Sequence, residues 1–310
     1  MLARGRLVSL AIGLLALLLS SGCGAGGDEA ERLLVVNHNI LHGIMDEDPA
    51  AAPFDRFPER LPLIADALAE AQPDIVLLQE VVSNPGPDYP NVRDALLAAL
   101  GEQHRALFGN FLGDPIDTEG LGQMTLTRLP VLSSQNKSVS AIRSAVRVTV
   151  QTDSGPLSIY NVHLEGTGAV LETGESAELL EIENVIAFIR ETRSGAGAVI
   201  LAGDFNTEPE DPSVQALLDA GFIDALAEAG DPACKQADDP GCTNSTIPLG
   251  DNPDKLAARR IDYIFVLPGE EVTVEVREAS LFLDEPVDIG SGRLLWPSDH
   301  IGVRAVVELK

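Results

Sequence analysis

The chain has 310 residues, 45% of them hydrophobic, with 48 acidic against 21 basic side chains and a formal charge of −27. That length is enough for one large or two modest domains around a sizeable core. The acidity disfavours long DNA or RNA as a partner, because nucleic-acid binding relies on Lys and Arg neutralising phosphates; an acidic site loaded with divalent cations still accepts phosphate.

Residues 1–22 read as a signal peptide, since Arg4 and Arg6 precede an apolar run from Leu7 to Leu19 that ends in Ser20, Ser21 and Gly22. The run is short and lopsided for a transmembrane helix. Cys23 resembles the lipid-modified cysteine of bacterial lipoprotein signals, although Ser20 stands three residues before it where those signals usually have Leu. The expectation is export to the cell envelope, with the membrane as a partner through Cys23; the plainer alternative is secretion with Cys23 a bystander. Losing Arg4 and Arg6 with the leader leaves 19 basic residues against 48 acidic ones, a charge of −29. Residues 23–31 form a flexible polar tether. Residues 32–310 contain no repeat, low-complexity block or long linker, so one domain is expected there, working as a monomer.

From residue 32 onward the elements follow one another in a regular way. Residues 32–40, RLLVVNHNI, read as a buried strand ending in polar residues, with Asn39 near its carboxyl end. Residues 57–71 carry Leu61, Ile64, Ala65, Leu68 and Ala71 at helical spacing, and Pro73 stops the helix. Residues 74–80, DIVLLQE, form a second buried strand that delivers Glu80. A helix at 91–100 precedes two or three strands within 105–139. A strand at 143–151 turns at Asp153-Ser154-Gly155-Pro156 into a partner at 157–163 that ends on His163. The longest helix spans 175–193. A strand from Val199 then ends in Gly203 and delivers Asp204 and Asn206, which alone would read as an Asx-type turn. A helix at 212–220 is followed by a long loop at 231–255, a length that often covers sites. Strands at 260–267 and 272–281 come next, with Asp262 near the start of the first. Asp299 and His300 precede a last apolar strand. Cys234 and Cys242, with seven residues between them, read as a disulfide in an exported protein. A zinc site is the weaker alternative, because no histidine pair lies nearby.

Asn39, Glu80, His163, Asp204, Asn206, Asp262, Asp299 and His300 thus stand at strand ends. Each alone has an ordinary structural explanation. Together they supply oxygen ligands for a divalent metal, a base for water and donors for phosphoryl oxygens, the requirements of phosphoester hydrolysis. Mg²⁺ suits carboxylate and water ligands better than a softer ion would, with Mn²⁺ or Ca²⁺ as substitutes. A serine nucleophile is excluded by the lack of a G-x-S-x-G elbow.

Six motifs in order, N-x-N-I at 37–40, DIVLLQE, YNVHLE, GDFN, RIDYI and SDH, resemble the endonuclease/exonuclease/phosphatase superfamily of metal-dependent phosphoesterases over residues 33–309. The resemblance implies an α/β fold, a four-layer α/β sandwich of two mixed β-sheets packed face to face with helices outside. It implies Asn39, Glu80 and Asp299 at the metal, with Glu80 the principal ligand. It implies Asp204 orienting or activating water, Asn206 and His163 on the phosphate, and His300 acting as base or electrostatic partner, oriented by Asp262. Gln123 stands where relatives often have an Asn, and Leu41 where abasic-site enzymes have an acidic residue. The expected activity is Mg²⁺-dependent hydrolysis of a lipid headgroup or other small phosphodiester. An extracellular nuclease is the close alternative, and a binding protein that kept only the fold is the more distant one.

Overall fold

The computed structural model describes residues 30–41, 56–84, 91–101, 103–166, 176–193, 197–230, 234–237, 239–244 and 257–310. The expected leader, Cys23, nearly all of the tether and much of the 231–255 loop lie outside them. Among the described residues no helix is long and apolar enough to cross a membrane.

Two six-stranded sheets organise the chain. The first contains β1 (Glu31–Asn39), β2 (Ile75–Ser83), β3 (Arg105–Asn110), β4 (Gly120–Thr127), β11 (Val274–Phe282) and β14 (Gly302–Leu309), in the order β11-β14-β1-β2-β4-β3. The second contains β5 (Val131–Ser138), β6 (Ser144–Thr152), β7 (Gly155–His163), β8 (Val199–Asp204), β9 (Ile223–Asp224) and β10 (Asp262–Leu267), in the order β5-β6-β7-β8-β10-β9. Both are mixed, since β1 runs parallel to β2 and β7 parallel to β8 while their other neighbours are antiparallel. A small hairpin of β12 (Val287–Asp288) and β13 (Leu294–Leu295) stands apart.

Alternation along each strand decides the layers. Leu33, Val35, Ile75, Leu77, Val146, Val148, Ile159, Ile200, Ile264 and Val303 meet between the sheets. Their sequence neighbours point the other way. Val36, Val76 and Leu78 pack against α1 (Phe57–Ala71) and α2 (Val92–Leu100). Tyr160, Val162, Val199, Leu201 and Phe265 pack against α3 (Ala177–Thr192) and α4 (Pro212–Asp219). The result is the expected four-layer sandwich. Capping sets two of the helix starts, with Asn91 accepting from Asp94 N–H and Ser176 from Leu179 N–H. The region 105–139 resolves into three strands, and a short helix α5 (Ala225–Glu228) follows β9.

Polar side chains also join the sheets. Gln79 donates to Asn37 Oδ1 at 2.9 Å and to Asn161 Oδ1 at 2.7 Å, and Asn161 donates to the carbonyls of Leu78 and Met124. Asn37 donates to Gly203 O at 3.0 Å. Gly203 is required there, because a Cβ would lie 1.9 Å from Val162 O on the neighbouring strand. An apolar interface has no preferred offset, whereas these bonds tie β1 and β2 to β7 and β8 in one register.

Candidate active site

The parity that builds the core also builds the site. Leu33 and Val35 face the second sheet, so Asn37 and Asn39 continue that face. By the same count Ile159 leads to Asn161 and His163, Ile200 and Ala202 lead to Asp204, and Ile264 leads back to Asp262. Each polar residue is thus an inward position at or beyond the end of the apolar core. Asn39, His163, Asp204, Asp262 and His300 are all buried, at 6% exposure or less.

Glu80 departs from this count. Its parity is that of Val76 and Leu78, which face the helices, and β2 does not stop there as the sequence suggests. The strand continues to Ser83 through a register shift between Leu78 and Val81, with Glu80 at φ 57°. The bulge turns the carboxylate back to the site, where Glu80 Oε1 accepts from Asn39 Nδ2 at 3.0 Å. A left-handed backbone at a glutamate is a strained arrangement of the kind that persists at functional sites.

Asp204 is the centre. Its Oδ1 accepts from Asn206 N–H at 2.9 Å, the expected Asx turn, with Asn206 at φ 55°. Its Oδ2 accepts from Asn39 Nδ2 at 3.0 Å and lies 3.5 Å from His163 Nε2 and 3.6 Å from His300 Nε2. Asn206 Nδ2 donates to Leu164 O. His300 shares a 2.9 Å hydrogen bond between its Nδ1 and Asp262 Oδ2, so Nε2 faces Asp204. Asp299 is half-buried, touches Ser298 Oγ at 3.3 Å, and its charge reaches both Glu80 and His300.

Backbone anchors fix these groups. Ser298 Oγ donates to Asn39 O at 2.6 Å and accepts from His300 N–H, tying the ends of β1 and of the last loop together. Thr243 Oγ1 accepts from the N–H groups of Ile261 and Asp262, and its carbonyl accepts from Ile301 N–H. Thr243 follows Cys242, which is disulfide-bonded to Cys234 and packs with Ala257, Trp296 and Ile301. The disulfide loop therefore braces the start of β10, which carries Asp262, and the loop that carries His300. Arg60, fully buried on α1, donates to the carbonyls of Ile40, Leu41 and Pro297 and stacks on Phe57 at 5.1 Å.

Electrostatics sort the roles. Burial, with the charges of Asp262 and Glu80, raises the Asp204 carboxyl to about 7 against the opposing pull of His300 and Asn39. Burial and the Asp299 charge raise Glu80. Burial alone would lower His300, but Asp262, Asp204 and Asp299 outweigh it and hold the imidazole well above its ordinary value. His163 goes the other way, pushed well down by burial and by the charges of Arg143 and His300. One imidazole is thereby kept charged and the other neutral.

The donor set fits a hard divalent cation. Ligand atoms of Glu80, His163 and Asp204 lie within 4.8 Å of one another, as do those of Asp204, Asp262 and His300. Carboxyls raised by burial and by the charge of neighbouring carboxylates are relieved by a cation between them. Asn39 turns its amide nitrogen to the carboxylates while its Oδ1 accepts from Leu41 N–H at 3.1 Å, so in this geometry it serves as the donor that bridges Glu80 and Asp204.

A cleft of about 490 Å³ opens on the site, lined by Glu80, Phe111, Ile142, Arg143, His163 and Asn206 among others. Phe111 and Arg143 are absent from the sequence motifs. Their only signal is an arginine in a turn before a strand. Gln123 does not line the cleft; it donates to Ser144 O at 2.7 Å between the sheets.

The model of the endonuclease/exonuclease/phosphatase family matches residues 36–300. The chain belongs to that family. Its members are metal-dependent phosphoesterases. A Drosophila melanogaster protein provisionally named neutral sphingomyelinase is 26% identical over 272 residues, 82% of this chain; the match spans only 57% of that relative. Among solved structures, a family protein from Bacteroides thetaiotaomicron superposes with a TM-score of 0.68 at 18% identity, over 90% of this chain and 98% of that one. A mannosyl-6-phosphatase from the same organism gives 0.67 at 19% identity, over 90% and 99%. D. rerio TDP2 in complex with a single-strand DNA product gives 0.63 at 20% identity, over 89% and 98%. These structural likenesses establish the fold.

Proposed function

We propose that residues 32–310 are a Mg²⁺-dependent phosphodiesterase domain acting on a lipid headgroup or small phosphodiester, exported by the signal at 1–22 and anchored through Cys23. The observation that carries the hydrolytic reading is the ring of nitrogen donors, from Asn39, His163 and His300, around one buried oxygen of Asp204. Glu80 and Asp299, with Asn39 beside them, would hold the metal, which when bound polarises the phosphoryl group and offsets its charge. Asp204 is placed to accept the proton of an attacking water, and a carboxyl raised to about 7 is matched to that task near neutral pH. His300, kept charged and oriented by Asp262, stabilises the negative charge that develops on phosphorus oxygens. His163 and Asn206 lie beside the same cleft as neutral donors.

The lipid-headgroup substrate is supported by the relative named for sphingomyelinase activity and by the charge of the chain. Arg143 is the one cation lining the cleft among the described residues, which is meagre for a polyanion. The Cys234–Cys242 disulfide accords with an exported protein. The test is hydrolysis by the purified protein of sphingomyelin, phosphoinositides, DNA and RNA, each with Mg²⁺ and with chelator. Chelator-sensitive cleavage of a lipid or small diester is expected. Preferential, steeply salt-dependent cleavage of DNA would replace this reading with the nuclease one, and no cleavage of any substrate with Mg²⁺, Mn²⁺ or Ca²⁺ would leave only a binding protein.

A further inference from the structure

Among the described residues the two most exposed large hydrophobic side chains are Leu112, at 65%, and Ile142, at 56%. Ile142 lines the cleft together with Phe111, and Leu112 follows Phe111 in the turn after β3, which Ser138 joins to the turn that carries Ile142. Scattered surface leucines need no explanation, but an exposed isoleucine lining the opening, with an exposed leucine in the adjoining turn, does.

Packed turns hold them outward. Ser138 Oγ donates to Leu112 O, and Gly113 sits so close to Ser138 that a Cβ would come within 2.4 Å of its backbone nitrogen. The turn that carries Ile142 is closed by Val139 and Ser140, whose N–H groups both donate to Arg143 O. Neither side chain is displaced from a nearby core; each is presented.

Arg143 adds the polar half. Its guanidinium lies over the Phe111 ring at 4.9 Å and reaches Glu165 at 3.4 Å, while its Nε is buried without a hydrogen-bond partner. A guanidinium lining the cleft with His163 and Glu80 suits a phosphate oxygen. The wall thus runs from the reacting centre, through one cation, to an apolar edge.

We propose that Phe111, Leu112, Ile142 and Arg143 form a subsite for the apolar part of an amphiphilic phosphodiester, so that the enzyme takes its substrate from a zwitterionic lipid surface. This rests on the phosphodiesterase reading above. Charge selects the surface. A chain of formal charge −27 is repelled by anionic lipid, whereas a zwitterionic headgroup layer leaves the apolar edge free to insert.

The experiment compares two substrates for the full chain: sphingomyelin in mixed detergent micelles, and soluble bis(p-nitrophenyl) phosphate. Wild type, Leu112→Asp and Ile142→Asp are measured with Mg²⁺. Each substitution is expected to lower the ratio of kcat/KM on micelles to kcat/KM on the soluble diester about tenfold, the scale of losing one buried aliphatic contact. Both positions are exposed, so melting temperatures should match wild type. An unchanged ratio overturns the subsite, as does a wild type that cleaves the soluble diester but not the micelles. A wild type that cleaves neither diester fails at the phosphodiesterase reading itself and takes the subsite with it.

Discussion

Asp262 and His300 meet through a 2.9 Å hydrogen bond between Oδ2 and Nδ1, with the aspartate fully buried at the start of β10. The pairing fixes the ring so that Nε2 looks toward Asp204 rather than into the loop. It also supplies the largest charge holding the imidazole protonated. Asp262→Asn keeps the shape and removes that charge. The expected loss in kcat is about 10²–10⁴-fold, on the scale of disturbing a histidine's orienting carboxylate. The sign of the pH effect follows from the raised histidine: without Asp262 its pKa falls, so the alkaline limb of the kcat/KM profile moves to lower pH. A limb that stays in place would remove Asp262 from this role.

On the proposed mechanism Asp204→Ala and His300→Ala should each abolish Mg²⁺-dependent hydrolysis, a fall of about 10³-fold or more for a proton acceptor or a charge acting on the phosphate. Far-ultraviolet circular dichroism should be unchanged. Full activity in either variant would sink the assignment of that residue.

Arg60 holds the Ile40–Leu41 segment to Pro297, and so the end of β1 to the loop carrying Asp299 and His300. Arg60→Met would leave the buried carbonyls of Ile40 and Pro297, and the half-buried one of Leu41, without that donor, at a cost of about 3 kcal/mol in stability. Thermal unfolding checks the stability. A variant that melts as wild type does would show the clamp to be dispensable. If the clamp aligns the site as well, more Mg²⁺ is needed for half-maximal activity.

Glu308 on β14 accepts from Arg277, Lys310 and Arg32, and these bonds, Arg277 first, hold its carboxyl down at about 2. A depressed carboxyl stabilises the fold above its ordinary pKa near 4.5 and loses that contribution as pH falls through about 2. Denaturation midpoints of wild type and Glu308→Gln should therefore differ at pH 7 and converge between about pH 4.5 and pH 2. A gap that persists at pH 2 would mean the ion pairs are not its source.

Most of the site was legible because strand parity is legible. Once Leu33 and Val35, Ile200 and Ala202, or Ile264 are placed inward, Asn39, Asp204 and Asp262 follow without further information. Glu80 reached the site for a reason no pattern shows, since a bulge with a left-handed glutamate reverses its parity and the strand runs on. Arg60 lay hidden in the sequence because a helix arginine reads as solvated, and its carbonyl partners come from segments 20 and 237 residues away. Phe111 and Arg143 meet only where turns from the two sheets come together, a relation that depends on how the sheets stack. Cys234 and Cys242 pair as expected, but that the next residue, Thr243, braces Asp262 is a fact of tertiary structure.

Glu31 pairs with Leu309 at one end of the first sheet, while Asn39 lies at the other end of the same strand. Eight residues of extended chain separate them, about 26 Å. The first strand therefore begins on the side away from the cleft and runs toward it. A molecule that enters the cleft approaches the protein from the face opposite the first residues of β1.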